Sequence, residues 1–425
     1  MVGTETVDVV VVGAGQAGLA TSYHLTKQGV DHVVLERQRV AQAWRHQRWD
    51  SFCLVTPNWT VQLPGFTYDG PDPDGYMKRD EVVTYFERYL ESFRPPVRTG
   101  INVDSLDVAT SDDRLRLTAG DWTFRARSVV VATGSFQRSK LPTLAGSLAI
   151  DIVQLHSIAY KNPEQLPSGA VLVVGTGQSG AQIAEELHEA GRAVFLSVGT
   201  CGRVPRRYRG KDTVWWGVQG GAFDRTVDSL QSPAEKFACH PHVSGKNGGH
   251  DINLRALARS GITLLGRLQS ADVGTIRLAP DLQENLRKAD EFAENILRQL
   301  DEGVGKLGLP LPEDTNPRGI GAEVYREVDP IRELNLREAG ITSIVWATGY
   351  QPDFSWIHLP VFDAAGLPLQ RRGITSQPNV YFVGLEWLHK PKSGLLLGVG
   401  EDAAYIASTI ASRATSKSHQ MEASI

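Results

Sequence analysis

Val7-Asp8-Val9-Val10-Val11-Val12-Gly13-Ala14-Gly15-Gln16-Ala17-Gly18 stands near the amino terminus, and Ala170-Val171-Leu172-Val173-Val174-Gly175-Thr176-Gly177-Gln178-Ser179-Gly180 repeats its pattern farther along. Each is an apolar, β-branched run, a G-x-G-x-x-G turn and the start of a helix. Continuous apolar runs predict parallel strands buried on both faces, because a half-exposed strand would alternate. The helices are predicted to reach about Gln28 and Ala190. Gly29 and Gly191 then lead into Val33-Val34-Leu35 and Ala193-Val194-Phe195-Leu196, so a βαβ unit is complete twice.

In such a turn the first glycine takes the bend, the second lets backbone approach a diphosphate, and the third lets helix pack on strand. The helix N-terminus adds free N–H groups and partial positive charge. Gly13, Ala14, Gly15, Gln16, Ala17 and Gly18 are therefore candidate nucleotide contacts, as are Gly175, Gly177, Gln178, Ser179 and Gly180. Glu36 closes the first unit about 20 residues on, where an acid binds a ribose. The second unit ends in Ser197-Val198-Gly199 with no acid and runs into Arg203, Arg206, Arg207, Arg209 and Lys211. Guanidinium groups suit a 2′-phosphate, so the second unit is predicted to take NADPH rather than NADH. A solvated basic loop is the alternative.

Two more strands end alike, Val129-Val130-Val131-Ala132-Thr133-Gly134 and Ile344-Val345-Trp346-Ala347-Thr348-Gly349. From Leu282 to Leu300 apolar residues recur at helical spacing, which predicts an amphipathic helix. Gly308 to Gly321 is expected to be a loop or hinge. Beyond Ser412 the polar composition predicts fraying.

The chain's 425 residues exceed what one core usually serves. A net charge of -4 supplies no global attraction for nucleic acid or an anionic membrane. No run reaches the roughly 18 apolar residues of a membrane span, and Met1 to Asp8 does not read as a secretory signal. Cys53, Cys201 and Cys239 form neither a C-x-x-C pair nor a zinc spacing, and a cytoplasmic location is expected.

On the first glycine turn, Glu36-Arg37 with Trp44, Ala132-Thr133-Gly134-Ser135-Phe136, the second turn with Ser179, Ala347-Thr348-Gly349-Tyr350, and Asn379 to Gly384, the chain resembles the class B flavoprotein monooxygenases. That group includes flavin-containing monooxygenases, the plant auxin-forming enzymes and Baeyer-Villiger relatives. The resemblance implies an α/β fold of two Rossmann-like domains, the NADPH domain inserted in the FAD domain. Residues 1–160 and 336–425 would bind FAD, and residues 161–335, with a helical insertion, NADPH. Around the cofactors it implies Arg37, Trp44, Ala132, Thr133, Gly134, Ala347, Thr348, Gly349 and Gly384. Leu395 and Leu396 would open the last helix toward the flavin.

Asn58 matches the place where such enzymes set a polar residue beside the flavin, so it is the candidate catalytic residue. A turn asparagine after Pro57 is the alternative. There are two departures. Ala41-Gln42-Ala43 precedes Trp44 where relatives often have Gly-Gly, and the F-x-G-x-x-x-H fingerprint would fall on Ile150 to His156, keeping only the histidine. A structural, hydrogen-bonded role is expected for His156. The expected activity is NADPH-dependent oxygenation of a small organic substrate by dioxygen through a C4a-hydroperoxyflavin, with no metal, nucleic acid or membrane partner. A reductase with another acceptor and a non-catalytic nucleotide-binding protein remain alternatives. The oligomeric state, a homodimer included, stays open.

Overall fold

The computed structural model describes residues 3–109, 114–148, 151–308, 312 and 330–422, without the side chains of 305–307 and 414–422. It is a mixed α/β structure built on two sheets. In the first, five parallel strands lie in the order Val380–Phe382, Trp122–Val131, Gly3–Val12, His32–Glu36, Val97–Thr99. In the second, all parallel, the order is Val153–His156, Ile341–Trp346, Ala170–Val174, Val194–Ser197, Thr263–Leu265.

The two sheets share one plan. Each glycine turn follows a central strand, flanked on one side by its βαβ partner and on the other by the strand ending in Ala-Thr-Gly. The strand order reverses there, the point at which open α/β sheets bind ligands beyond the strands' carboxyl ends. As the apolar runs predict, every residue of His32–Glu36 and of Ala170–Val174 is buried. Apolar clusters cover both faces of both sheets. Each fully buried valine, such as Val10 or Val11, contributes about 1.5–3 kcal/mol.

The helices after the turns are Gln16–Lys27 and Gln178–Glu189, close to their predicted ends. Leu282–Leu307 is helical, beyond the predicted Leu300, and Gly308 ends it in a left-handed conformation. The rest of the expected 308–321 loop lies outside the described residues, Pro312 excepted, as does Ile150 of the fingerprint. The last helix, Val399–Glu422, packs its first half against Gln16–Lys27 and continues past Ser412, where fraying was expected.

The sheets divide the chain elsewhere than at residues 160 and 336. Val153–His156 and Ile341–Trp346 both belong to the second sheet. A buried strand reads the same from either sheet, so its apolar run could not assign it. The chain passes between the sheets at Arg138–Ser139 and again at Tyr350–Gln351, and these two short strands pair antiparallel. Lys140 N donates to Gly349 O at 3.0 Å beside them. Among the described residues no helix is long and apolar enough to cross a membrane, and no cluster of His, Cys, Asp or Glu could hold a metal.

Candidate functional site: two glycine cradles

The glycines of each turn fall into three kinds. Gly13 and Gly175 have φ of +105° and +101°, and a Cβ on them would come within 2.8 Å of Ala132 O and 2.6 Å of Ala347 O. The Ala-Thr-Gly strand end thus closes against its own cradle in both sheets. A Cβ on Gly18 or Gly180 would collide with the carbonyl oxygen of Gly13 or Gly175, which sets the close approach of helix to turn. Gly15 and Gly177 differ, since their φ values of -85° and -67° suit any residue. A Cβ on Gly15 would meet nothing within 4 Å, and one on Gly177 only Cys239 Sγ at 3.6 Å. Neither middle glycine is required by its own backbone, and the room it leaves is what an approaching diphosphate uses.

At the first cradle Ala14 and Ala17 are buried. The Glu36 carboxylate accepts from Ala14 N and Gln38 N, each at 2.9 Å, which fixes it beside the turn. Gln16 Nε2 donates to Gly394 O at 2.5 Å and ties the cradle helix to the segment before the last helix. Gly384, at φ +84°, lets its strand end press on Ala17, where a Cβ would collide. Arg37 is exposed. Leu395 and Leu396 do not open the last helix. Pro391–Gly394 is a single 3₁₀ turn and the helix starts at Val399. The Leu395 N–H is also taken, by Lys392 O at 2.9 Å, because the glycine-rich segment makes a separate turn first.

Trp44 packs against Phe52 and Phe86, with ring centroids 6.1 and 6.5 Å away. The Arg48 guanidinium lies over Trp44, Phe52 and Phe136 at 5.1, 5.5 and 6.0 Å. Burial pushes its pKa down, and its only hydrogen bond among the described residues runs to Gln47 O at 3.0 Å. Arg48 carries no signal in the sequence beyond its place four residues after Trp44.

Between the cradles the two crossings are clasped. Gln137 Nε2 donates to Thr133 Oγ1 and Gly134 O at 2.9 and 2.6 Å, while its Oε1 accepts from Asp353 N at 3.0 Å. Thr348 Oγ1 donates to Lys140 O at 2.5 Å. His156 Nδ1 accepts from Ile158 N, so Nε2 carries the proton donated to Gly349 O at 2.9 Å. The ring stands edge-on to Tyr350 at 5.0 Å, and burial lowers its pKa. His156 is a neutral, structural histidine in this arrangement.

At the second cradle, residues 239–243 lie across the turn. Gln178 Nε2 donates to Val243 O and Gln178 Oε1 accepts from Val243 N. His242 Nε2 donates to Thr176 O. Ser179 is half-buried in the first helical turn. The arginines separate sharply. Arg203 is buried and bonds Asp290 at 2.7 Å. Arg206, 2% exposed, bonds Asp212 at 2.5 Å and Val55 O at 2.8 Å, with its guanidinium 5.0 Å from the Tyr76 ring centre. These two, read as phosphate ligands, are instead held by half-buried carboxylates; Asp290 comes from a distant helix, which sequence proximity could not show. Arg207 is exposed, and among the described residues its guanidinium donates only to Gly248 O and Gly249 O, at 2.9 and 3.3 Å.

Asn58, the catalytic candidate, is buried. Its Nδ2 donates to Asp72 O at 2.9 Å and its Oδ1 accepts from Met77 N at 2.7 Å. Both ends of the amide brace the 72–77 loop, a structural role of the kind that the turn reading expects. Cys201 and Cys239, dismissed as a pair on spacing, have their sulfurs 2.8 Å apart.

Fold and cradles together define a dinucleotide-dependent oxidoreductase, and the comparisons place it. The family described as pyridine nucleotide-disulphide oxidoreductase matches residues 10–209. An uncharacterized CzcO-like oxidoreductase of Geobacillus kaustophilus is 33% identical over 95% of this chain and 98% of its own. Indole-3-pyruvate monooxygenase YUCCA1 of Oryza sativa subsp. japonica is 34% identical over 94% and 90%. A flavin-containing monooxygenase from Stenotrophomonas maltophilia has the same fold, with a TM-score of 0.64 at 21% identity over 96% of this chain and 99% of that one. The chain belongs to the flavin-containing monooxygenase-like family of flavoprotein oxidoreductases.

Proposed function

We propose that the chain binds FAD in the first cradle and NADPH in the second, and oxygenates a small organic substrate with dioxygen. The observation that carries this reading is the duplicated turn whose middle glycine has ordinary backbone angles and no atom closer to a built Cβ than van der Waals contact. Glu36 beside the first turn suits a ribose, and the absence of an acid at Ser197 suits a 2′-phosphate. Two Rossmann-like domains follow, the NADPH domain inserted between the paired crossings at Arg138–Ser139 and Tyr350–Gln351.

Held at the first cradle by the Gly13–Gly18 turn and Glu36, FAD would supply the capacity to accept a hydride from NADPH and to activate dioxygen. The residues' part is positional. Helix N-termini at Gln16 and Gln178 hold the diphosphates, and the small residues Ala132 and Ala347 let backbone close on each turn. The Gln137 clasp fixes the crossings between them. A reductase with a non-oxygen acceptor is the second reading, favoured by Asn58, whose buried amide is engaged at both ends in bracing the 72–77 loop.

The test is to reduce the flavin-loaded protein with NADPH without oxygen, then add oxygen. A long-lived absorbing species, distinct from oxidised and reduced flavin, is expected. Immediate return to oxidised flavin with peroxide release would replace the monooxygenase reading with the second. In addition, Arg207→Ala should raise the Michaelis constant for NADPH by roughly tenfold, the worth of a charged hydrogen bond, and leave that for NADH nearly unchanged. Equal changes would remove the 2′-phosphate assignment.

A further inference from the structure

Two thiols meet at the rim of the second cradle. Cys201 Sγ lies 2.8 Å from Cys239 Sγ, nearer than unbonded sulfurs pack and about 0.8 Å short of closing a disulfide. Cys201 is buried and Cys239 exposed. Cys239 Sγ is also the atom that a Cβ on Gly177 would meet, at 3.6 Å. The two segments are already aligned, because Arg203 and His242 form a parallel bridge and His242 N donates to Gly202 O at 2.9 Å. With His242 on Thr176 O and Val243 on Gln178, residues 239–243 make a strap over the turn.

We propose that Cys201 and Cys239 are a peroxide-oxidised dithiol whose disulfide fastens this strap over the second cradle and hinders entry of the nicotinamide dinucleotide. The proposal rests on the reading of that cradle as the NADPH seat. The oxidant is hydrogen peroxide, which a reduced flavin yields when oxygen is not transferred to substrate. Cys239 attacks one peroxide oxygen, an S–O bond forms, the O–O bond breaks, and the departing hydroxide leaves as water. Cys201 then attacks the Cys239 sulfur, the S–S bond forms, the S–O bond breaks, and a second water leaves with the Cys201 proton. Two thiols and one peroxide thus give one disulfide and two waters.

The order follows from the surroundings. The bond from Cys201 holds the Cys239 thiol down, and neighbouring His240 adds to this, whereas the same bond and burial push Cys201 up. The exposed, lower thiol is the nucleophile and the buried one resolves it. A reduced strap can lift from the turn. A fastened one lowers the fraction of molecules competent to bind, and apparent affinity falls in proportion.

Full-length, flavin-loaded protein is treated with hydrogen peroxide or with dithiothreitol, alkylated, digested and mapped by mass, and NADPH is titrated onto each form. A Cys201–Cys239 cross-linked peptide is expected, with buried Cys53 still alkylatable after denaturation. The NADPH Kd should rise roughly tenfold or more and recover with dithiothreitol. Cys239→Ser and Cys201→Ser should each lack the cross-link and keep one Kd before and after peroxide. No cross-link in the wild type, or a cross-link with unchanged Kd, overturns the proposal. A reduced protein that forms the cross-link yet never binds NADPH overturns the nucleotide seat and the gating together, while the map still records the dithiol chemistry.

Discussion

Single residues divide by whether their partner is near in sequence. The glycines were legible because bend, approach and packing are all local, and the three kinds lead to different outcomes on substitution. Gly15→Ala should fold with a melting point within a few degrees of an apo wild type, yet purify with little flavin, as absorbance at the flavin band will show. Gly18→Ala should lose about 1–3 kcal/mol through the forced shift against the Gly13 carbonyl, measured by denaturant titration. Equal stability of both variants would remove the distinction. Arg203 was not legible, because its charge is settled by Asp290 far along the chain, whereas Arg206 was open to reading, since its partner Asp212 stands close by in the sequence. Arg206→Ala should cost about 1.5–3 kcal/mol of folding stability, since it removes charged hydrogen bonds to Asp212 and Val55 O from a buried position, and this will appear with or without nucleotide. A loss confined to NADPH affinity would restore its role as a phosphate ligand.

At the level of elements, the strands and both cradle helices were readable from apolar runs and turn chemistry. Sheet membership was not, as Val153–His156 and Ile341–Trp346 illustrate, because pairing is decided by tertiary packing. The last helix was placed too early since Lys392 to Gly398 has the glycine-rich look of a helix start but spends itself on a turn. His156, at the end of its strand, joins the crossings through Gly349 O. Burial lowers its folded pKa below the unfolded value of 6.5, so the unfolded chain binds the proton first as pH falls. Stability is therefore full above pH about 6.5 and declines below it, toward the folded pKa. Denaturant unfolding at pH 7.5 and 5.5 should show a smaller acid loss in His156→Asn than in the wild type. An unchanged acid loss would mean that other groups carry it. Half-buried His24 and buried His32 and His242 act in the same direction, while His240 and His250, raised by Glu386 and Glu185, oppose it.

For the molecule as a whole, the duplicated unit announced two sheets, but nothing local announced how they are joined. Lys390 and Lys392, before the last helix, both reach Asp224 on the second-sheet side and Glu401 on the last helix. Asp224→Asn should lower the melting point in low salt and do so less above about 0.5 M salt, where screening shortens the reach of exposed charge. A salt-independent effect would mean that packing, not charge, is lost. The paired crossings carry one more implication. Since entry and exit lie side by side, everything from Lys140 to Gly349 hangs from the first sheet like a loop hung from a hairpin. Such a piece can be traded for a relative's with two neighbouring cuts that sever no strand of the sheet left behind, so the coenzyme preference proposed for its cradle should travel with it.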